Sequence, residues 1–114
     1  MPAITTHVLD LSRGYPAAGV RVALEQGSAN EQWRRVGDGV TDGNGRLSTL
    51  LPASSELAPG IYRLSFETGA YFQEQGLPTF FPHVVVMFVV SDTSRHYHVP
   101  ILVSPFGYST YRGS

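Results

Sequence analysis

The sequence predicts an all-β fold, a sandwich or barrel of about eight short strands. Three observations carry this. Twelve glycines and eight prolines punctuate short apolar runs. The first run, "AITTHVLD" (3–10), is β-branched and alternates in polarity, as a half-buried strand does. Only "GAYFQEQGLPTFF" (69–81) reads as a helix, a short one stopped by Gly76 and Pro78.

The other elements follow in chain order. "RGYPAAG" (13–19) is a turn and "VRVALEQ" (20–26) a second strand. "WRRVGDGV" (33–40) is a third, ending in glycine-rich loop chemistry, and "TDGNGRL" (41–47) is a tight turn feeding a strand that runs to about Thr49. "LPASSELAPG" (51–60) is a loop whose Pro-Gly marks a turn before the strand "IYRLSFET" (61–68). "PHVVVMFVV" (82–90) is the strongest strand, and "HYHVPILV" (96–103) and "GYSTYRGS" (107–114) complete the set. Trp33, Phe66 and Phe88 are expected in the core. There is no repeat, low-complexity tract or linker, so residues 1–114 are expected to form one domain.

Composition narrows the function. The 114 residues suffice to bury a real core. Charged residues are only 15% of the chain, which suggests that another subunit covers part of the surface. A net charge of -1 supplies no basic field, so neither nucleic acid nor a membrane is an expected partner. The absence of cysteine removes disulfides, thiolate zinc sites and cysteine nucleophiles. "MPAITTHVLD" has no basic or apolar leader region, and no apolar run approaches the roughly 18 residues of a membrane span. The expected location is cytoplasmic, or periplasmic if a leader has been removed.

Side chains alternate across a strand, so faces can be read directly. Tyr97, Val99, Ile101 and Val103 share the expected core face of their strand, and His96, His98, Pro100 and Leu102 share the other. In the first strand Ile4 and Val8 point one way, and Thr5, His7 and Leu9 the other. Both second faces mix an imidazole with apolar residues where a solvent face would carry Lys and Glu. They are therefore expected to be covered by a ligand or a subunit. "VVVMFVV" is either an edge paired with its own copy across a two-fold axis or a central strand buried on both sides.

The candidate chemistry centres on histidine. His7, His83, His96 and His98 are the four imidazoles. A lone strand histidine is usually structural, and His83, after Pro82 at a strand start, is read so. His96 and His98 have a metal-ligand spacing, but zinc would need a third ligand such as His7 and an open position. Acid–base work needs less: an imidazole near neutrality, an oriented water and a fixed positive charge. His7, His98 and Arg46 could supply these, although an arginine after a turn is more often a surface residue. "GDGVTDGNG" (37–45) lacks the acidic spacing of a calcium loop, and Asp38 and Asp42 are expected to cap turns. No G-x-S-x-G, phosphate loop or HExxH is present.

Three stretches, "ITTHVLDLSRGYPAAGVRVAL", "TDGNGRL" and "HYHVPILVSPFGYSTYRGS", occur in order along the whole chain. Together they make it resemble the transthyretin-related 5-hydroxyisourate hydrolases. "HYHVP" and the terminal "YRGS" are the specific parts, whereas the turns recur in many prealbumin-like domains. The resemblance implies a transthyretin/prealbumin-like sandwich of two four-stranded sheets with one short helix. It also implies a homotetramer, a dimer of dimers, with active sites in the channel between dimers. The implied reaction hydrolyses 5-hydroxyisourate to 2-oxo-4-hydroxy-4-carboxy-5-ureidoimidazoline in urate degradation, without metal or organic cofactor.

Carried over residue by residue, the resemblance assigns catalysis to His7, Arg46, His98 and Ser114. It assigns substrate binding to Tyr111, Arg112, Gly113 and Pro100, with Arg112 either anchoring the tail or touching substrate. Strict alternation sets Ser109, Tyr111 and Gly113 opposite Arg112 and Ser114, so the last residues either keep to the strand or leave it. Three rival readings remain. One is a small-ligand carrier of the transthyretin kind. The others are a prealbumin-like accessory module and a zinc hydrolase using His7, His96 and His98.

Overall fold

The computed structural model describes residues 3–28, 30, 32–52 and 55–114. Its strands are β1 (Ile4–Asp10), β2 (Tyr15–Pro16), β3 (Arg21–Gly27), β4 (Trp33–Val40), β5 (Arg46–Leu47) and β6 (Gly60–Phe66). The helix α1 (Thr68–Gln73) follows, then β7 (Val84–Val90), β8 (Tyr97–Ser104) and β9 (Gly107–Thr110).

Two sheets face each other, with their alternating inner residues as the core. One runs β4-β3-β6-β7, antiparallel throughout. The other runs β2-β1-β8-β9, with β5 also pairing β1. β2 meets Leu9 and Asp10 while β5 meets Thr6 and His7, so two short strands share one edge of β1. That sheet is four positions wide with its outer position split, which is how it comes to hold five strands. β1 and β8 pair in parallel over the whole length of β1, Ile4↔Tyr97 to Asp10↔Val103. This long-range pair places the first strand beside the last-but-one.

The expected core faces are the buried ones. Ile4, Val8, Ile101 and Val103 lie against Leu24, Leu64 and Phe66, all buried. Burial of this apolar surface is the main force holding the sheets together. The helix adds Phe72, fully buried. Its six residues are fewer than the expected span, because the chain after Gln73 turns toward Pro78.

Several expectations are corrected. The strand expected to reach Thr49 ends at Leu47, since only Arg46 and Leu47 find partners on β1. Part of the "LPASSELAPG" loop, Ala53 and Ser54, lies outside the described residues. Trp33 is not a core residue: it stands on the outer face of its sheet, with the Arg63 guanidinium 4.2 Å from its ring centroid. Asp38 caps no turn, being an exposed β4 residue ion-paired with Arg35 at 3.5 Å. Phe66 is fully buried and Phe88 partly buried against the core. β7 is an edge strand, so the reading that buries it on both sides is overturned. Its inner Val84, Val86 and Val90 are buried, while Val85, Met87 and Val89 are 48%, 60% and 63% exposed. Among the described residues, no helix is long and apolar enough to cross a membrane.

Candidate active site

Strand register assembles the site on the outward face of the β1–β8 sheet. His7 lies opposite Arg46 of β5 and, on its other side, opposite Pro100 of β8. Thr5 lies opposite His98. Beyond β9 the tail makes one further bridge, His98↔Gly113, which keeps the register of the Ile101↔Thr110 pair. That register sets Tyr111 beside Pro100. Directly opposed residues share a face, so two adjoining rows result. One reads Arg46, His7, Pro100, Tyr111, and the other Thr5, His98, Gly113.

The interrupted ladder at the tail has a local cause. His98 accepts from the Gly113 amide at 2.9 Å, so its main-chain groups face the tail. Residues two apart on a strand face the same way, and Pro100 therefore turns toward the tail with no hydrogen to donate. Its carbonyl instead accepts the Thr110 hydroxyl at 2.8 Å. The tail thus follows β8 without being a continuous strand, which resolves the alternatives the sequence left open.

The turn before Arg46 is held by Asp42. Its carboxylate accepts from the amides of Asn44 (2.8 Å) and Arg46 (3.0 Å), the turn-capping role expected of it. Those two backbone hydrogen bonds, Arg46 first, hold the Asp42 carboxyl below its usual range. Gly45 has φ +75°, and a side chain there would strike the Val8 carbonyl at 2.4 Å. Only glycine lets the turn press on β1, where its carbonyl accepts from the Val8 amide at 2.7 Å.

Each histidine has one ring nitrogen committed. His7 Nε2 is 2.8 Å from the Asn44 carbonyl. A carbonyl only accepts, so this nitrogen carries a proton. His98 Nδ1 is 2.7 Å from the Thr5 hydroxyl. Burial chiefly, then the charges of Arg46 and His7, push the His98 imidazole below its ordinary value. All three disfavour the imidazolium, which leaves a neutral ring at neutral pH.

Of the residues singled out in the sequence, His7, Arg46, His98, Pro100, Tyr111 and Gly113 come together in these rows. Pro100 is buried, His7 and His98 are half-buried, and Arg46, Tyr111 and Ser114 are exposed. Arg112 points elsewhere: its guanidinium lies 4.5 Å from the Tyr97 ring centroid and donates to the His96 carbonyl at 3.4 Å. His83 is exposed at the entry to β7, away from the rows. Among the described residues, no three His, Asp or Glu side chains group as a metal site. Thr5 and Asn44 were missed as partners of the histidines. Thr5 was visible on the same face as His7, but only the parallel register with β8 turns that into a contact.

A two-sheet β-sandwich that carries paired imidazoles and a guanidinium on one outer face defines the class. The HIUase/Transthyretin family profile matches residues 4–113. The 5-hydroxyisourate hydrolase of Salmonella typhimurium is 50% identical over 111 residues, covering 97% of this chain and 80% of that protein. The Caulobacter vibrioides 5-hydroxyisourate hydrolase is 47% identical over 118 residues, covering all of both. Among solved structures, Klebsiella pneumoniae 5-hydroxyisourate hydrolase superposes with TM-score 0.86 at 38% identity over the full length of both chains. Sea bream transthyretin in complex with thyroxine superposes with TM-score 0.90 at 32% identity, covering 97% of this chain and 94% of that one. The chain belongs to the HIUase/Transthyretin family. It is a hydrolase.

Proposed function

We propose that the protein hydrolyses 5-hydroxyisourate to 2-oxo-4-hydroxy-4-carboxy-5-ureidoimidazoline, a step of urate breakdown, with no metal. The observation that carries this is the pair of rows above, which sets His7, Arg46 and His98 on one face of three adjacent strands, β5, β1 and β8. The 5-hydroxyisourate hydrolase names of its relatives support this choice of substrate.

The substrate is an oxygen-rich fused bicycle whose six-membered half contains an acyl C–N bond. A water oxygen bonds to the ring carbonyl carbon, the C–N bond breaks, the nitrogen takes a proton and a carboxylate is left. His98, neutral at neutral pH, is suited to take the proton from water. His7 shares the relay. Its Nε2 is held by the Asn44 carbonyl, which leaves Nδ1 to face the reaction. Arg46 binds substrate oxygens with its forked donors and stabilises the oxyanion. Ser114, through its hydroxyl or terminal carboxylate, positions water or substrate. Pro100 and Tyr111 form a wall, and Gly113 lets the backbone approach. For Arg112 the tail-anchoring role fits its stacking on Tyr97, whereas contact with substrate would require leaving that ring.

The assembly we propose is a homotetramer, a dimer of dimers. The open apolar edge at β7 and the half-covered imidazole face are surfaces that such packing would cover. A carrier channel would carry mainly apolar groups, and the two imidazoles and guanidinium favour chemistry over carriage. The direct test is the decay of 5-hydroxyisourate with and without the protein. His98→Ala separates the roles: turnover should collapse while the assembly persists.

A further inference from the structure

We infer that Thr5 is a positioning residue that decides which nitrogen of His98 faces the reaction. The inference rests on the reading of His98 as the base. Thr5 lies directly across from His98 in the β1–β8 pair, and its hydroxyl oxygen is 2.7 Å from Nδ1. Nδ1 is thereby committed, and Nε2 is the nitrogen left for water.

The ring is held from a second side. A β-carbon on Gly113 would stand 2.5 Å from the ring Cδ2 and 3.3 Å from Cγ. Cδ2 adjoins Nε2, so the bare glycine lets the tail backbone close on the ring while leaving room beside the working nitrogen. The imidazole is thus gripped between a hydroxyl and a main chain. Thr6, the next residue, performs a different task on the other face: its hydroxyl is buried and donates to the Val99 carbonyl at 2.6 Å. Adjacent threonines therefore serve the core and the site separately. A β-branched side chain is stiff at χ1, which suits a residue that must present its oxygen in one direction.

The proton assignment follows from the function. For Nε2 to act as a base it must carry the lone pair, so Nδ1–H donates to the Thr5 oxygen. His7 has the reverse arrangement, with Nε2–H donated to Asn44 and Nδ1 free. The two imidazoles present opposite ring nitrogens to one site.

The test uses Thr5→Val, nearly isosteric, and Thr5→Ser, which keeps the hydroxyl. Loss of one positioning hydrogen bond should lower kcat about tenfold in Thr5→Val. KM should stay within about twofold, because the hydroxyl is engaged with His98 Nδ1. Thr5→Ser should recover most of the loss. Nitrogen NMR of the folded protein should show His98 protonated at Nδ1 in the wild type and a mixture of tautomers in Thr5→Val. Unchanged kcat, a loss confined to KM, a serine variant as impaired as the valine one, or a wild-type His98 protonated at Nε2 would each overturn the inference. If the wild-type protein leaves 5-hydroxyisourate decay unaltered, the proposed function falls instead. The tautomer measurement then judges Thr5 alone.

Discussion

His98 is where residue-scale physics is most exposed to test. Burial, Arg46 and His7 all lower its proton affinity, so its neutral form persists below the ordinary histidine value of about 6.5. A rate that needs neutral His98 should therefore hold as pH falls past that value and drop only at the lowered one. A kcat/KM profile that breaks above 6.5 would assign the limb to another group. The same shift bears on stability. Between the lowered folded value and the unfolded one, the unfolded chain binds more protons, so stability falls as pH drops through that window. Replacing His98 with alanine removes general-base assistance, worth about 10²–10⁴-fold in kcat, and should leave the circular dichroism spectrum unchanged. Gly113→Ala tests the same ring from the other side. Its new methyl would overlap Cδ2, so it should impair turnover by moving the imidazole, visible as a shifted His98 ring signal. The alternation of Thr5, His7 and Leu9 was legible in sequence because strand geometry dictates it. The Thr5–His98 contact was not, since it depends on a pairing between residues 93 apart.

At the scale of elements, the tail is the informative piece. Deleting Tyr111 to Ser114 removes the His98↔Gly113 bridge and the Tyr97–Arg112 stack, leaving the β8–β9 ladder intact. We expect activity to vanish while the fold persists, and retained turnover would reduce the tail to a structural role. The core behaves differently: Leu64→Ala, at a fully buried site between the sheets, should cost about 2–5 kcal/mol in denaturant unfolding. The alternation of β8 and the Asp42 turn were readable because each rests on local rules, period-two burial and side-chain capping. Trp33 and Asp38 were misread for a related reason. A large apolar residue and a turn-forming one were each assigned by residue type, whereas the strand face and the Arg63 and Arg35 partners decide their places. The split edge of β1 was equally hidden, because two-residue strands carry no periodicity of their own.

For the whole molecule, the β7 edge and the face bearing His7 and His98 are the open features that bear on assembly. An apolar edge with Val85, Met87 and Val89 exposed invites pairing, and a low charge count points the same way. Sedimentation should find association, of four chains if the tetramer that the family resemblance implies holds, and a monomer active at high dilution would contradict a site formed between subunits. Strand count and turn spacing were enough for an all-β sandwich or barrel, the two-sheet arrangement came from the family resemblance, and association was legible in the low charge and the half-polar strand faces. The resemblance of "HYHVP" and "YRGS" to known hydrolases, rather than composition, supplied the substrate. That substrate is accordingly the claim to test first. 5-Hydroxyisourate is generated in the cuvette from urate with urate oxidase, and the decay of its near-ultraviolet absorbance is followed with and without this protein and a chelator. A metal-free 5-hydroxyisourate hydrolase should speed the decay, at a rate the chelator leaves unchanged. Decay no faster than in buffer, from a confirmed assembly, would sink the enzyme reading and bring the carrier reading forward.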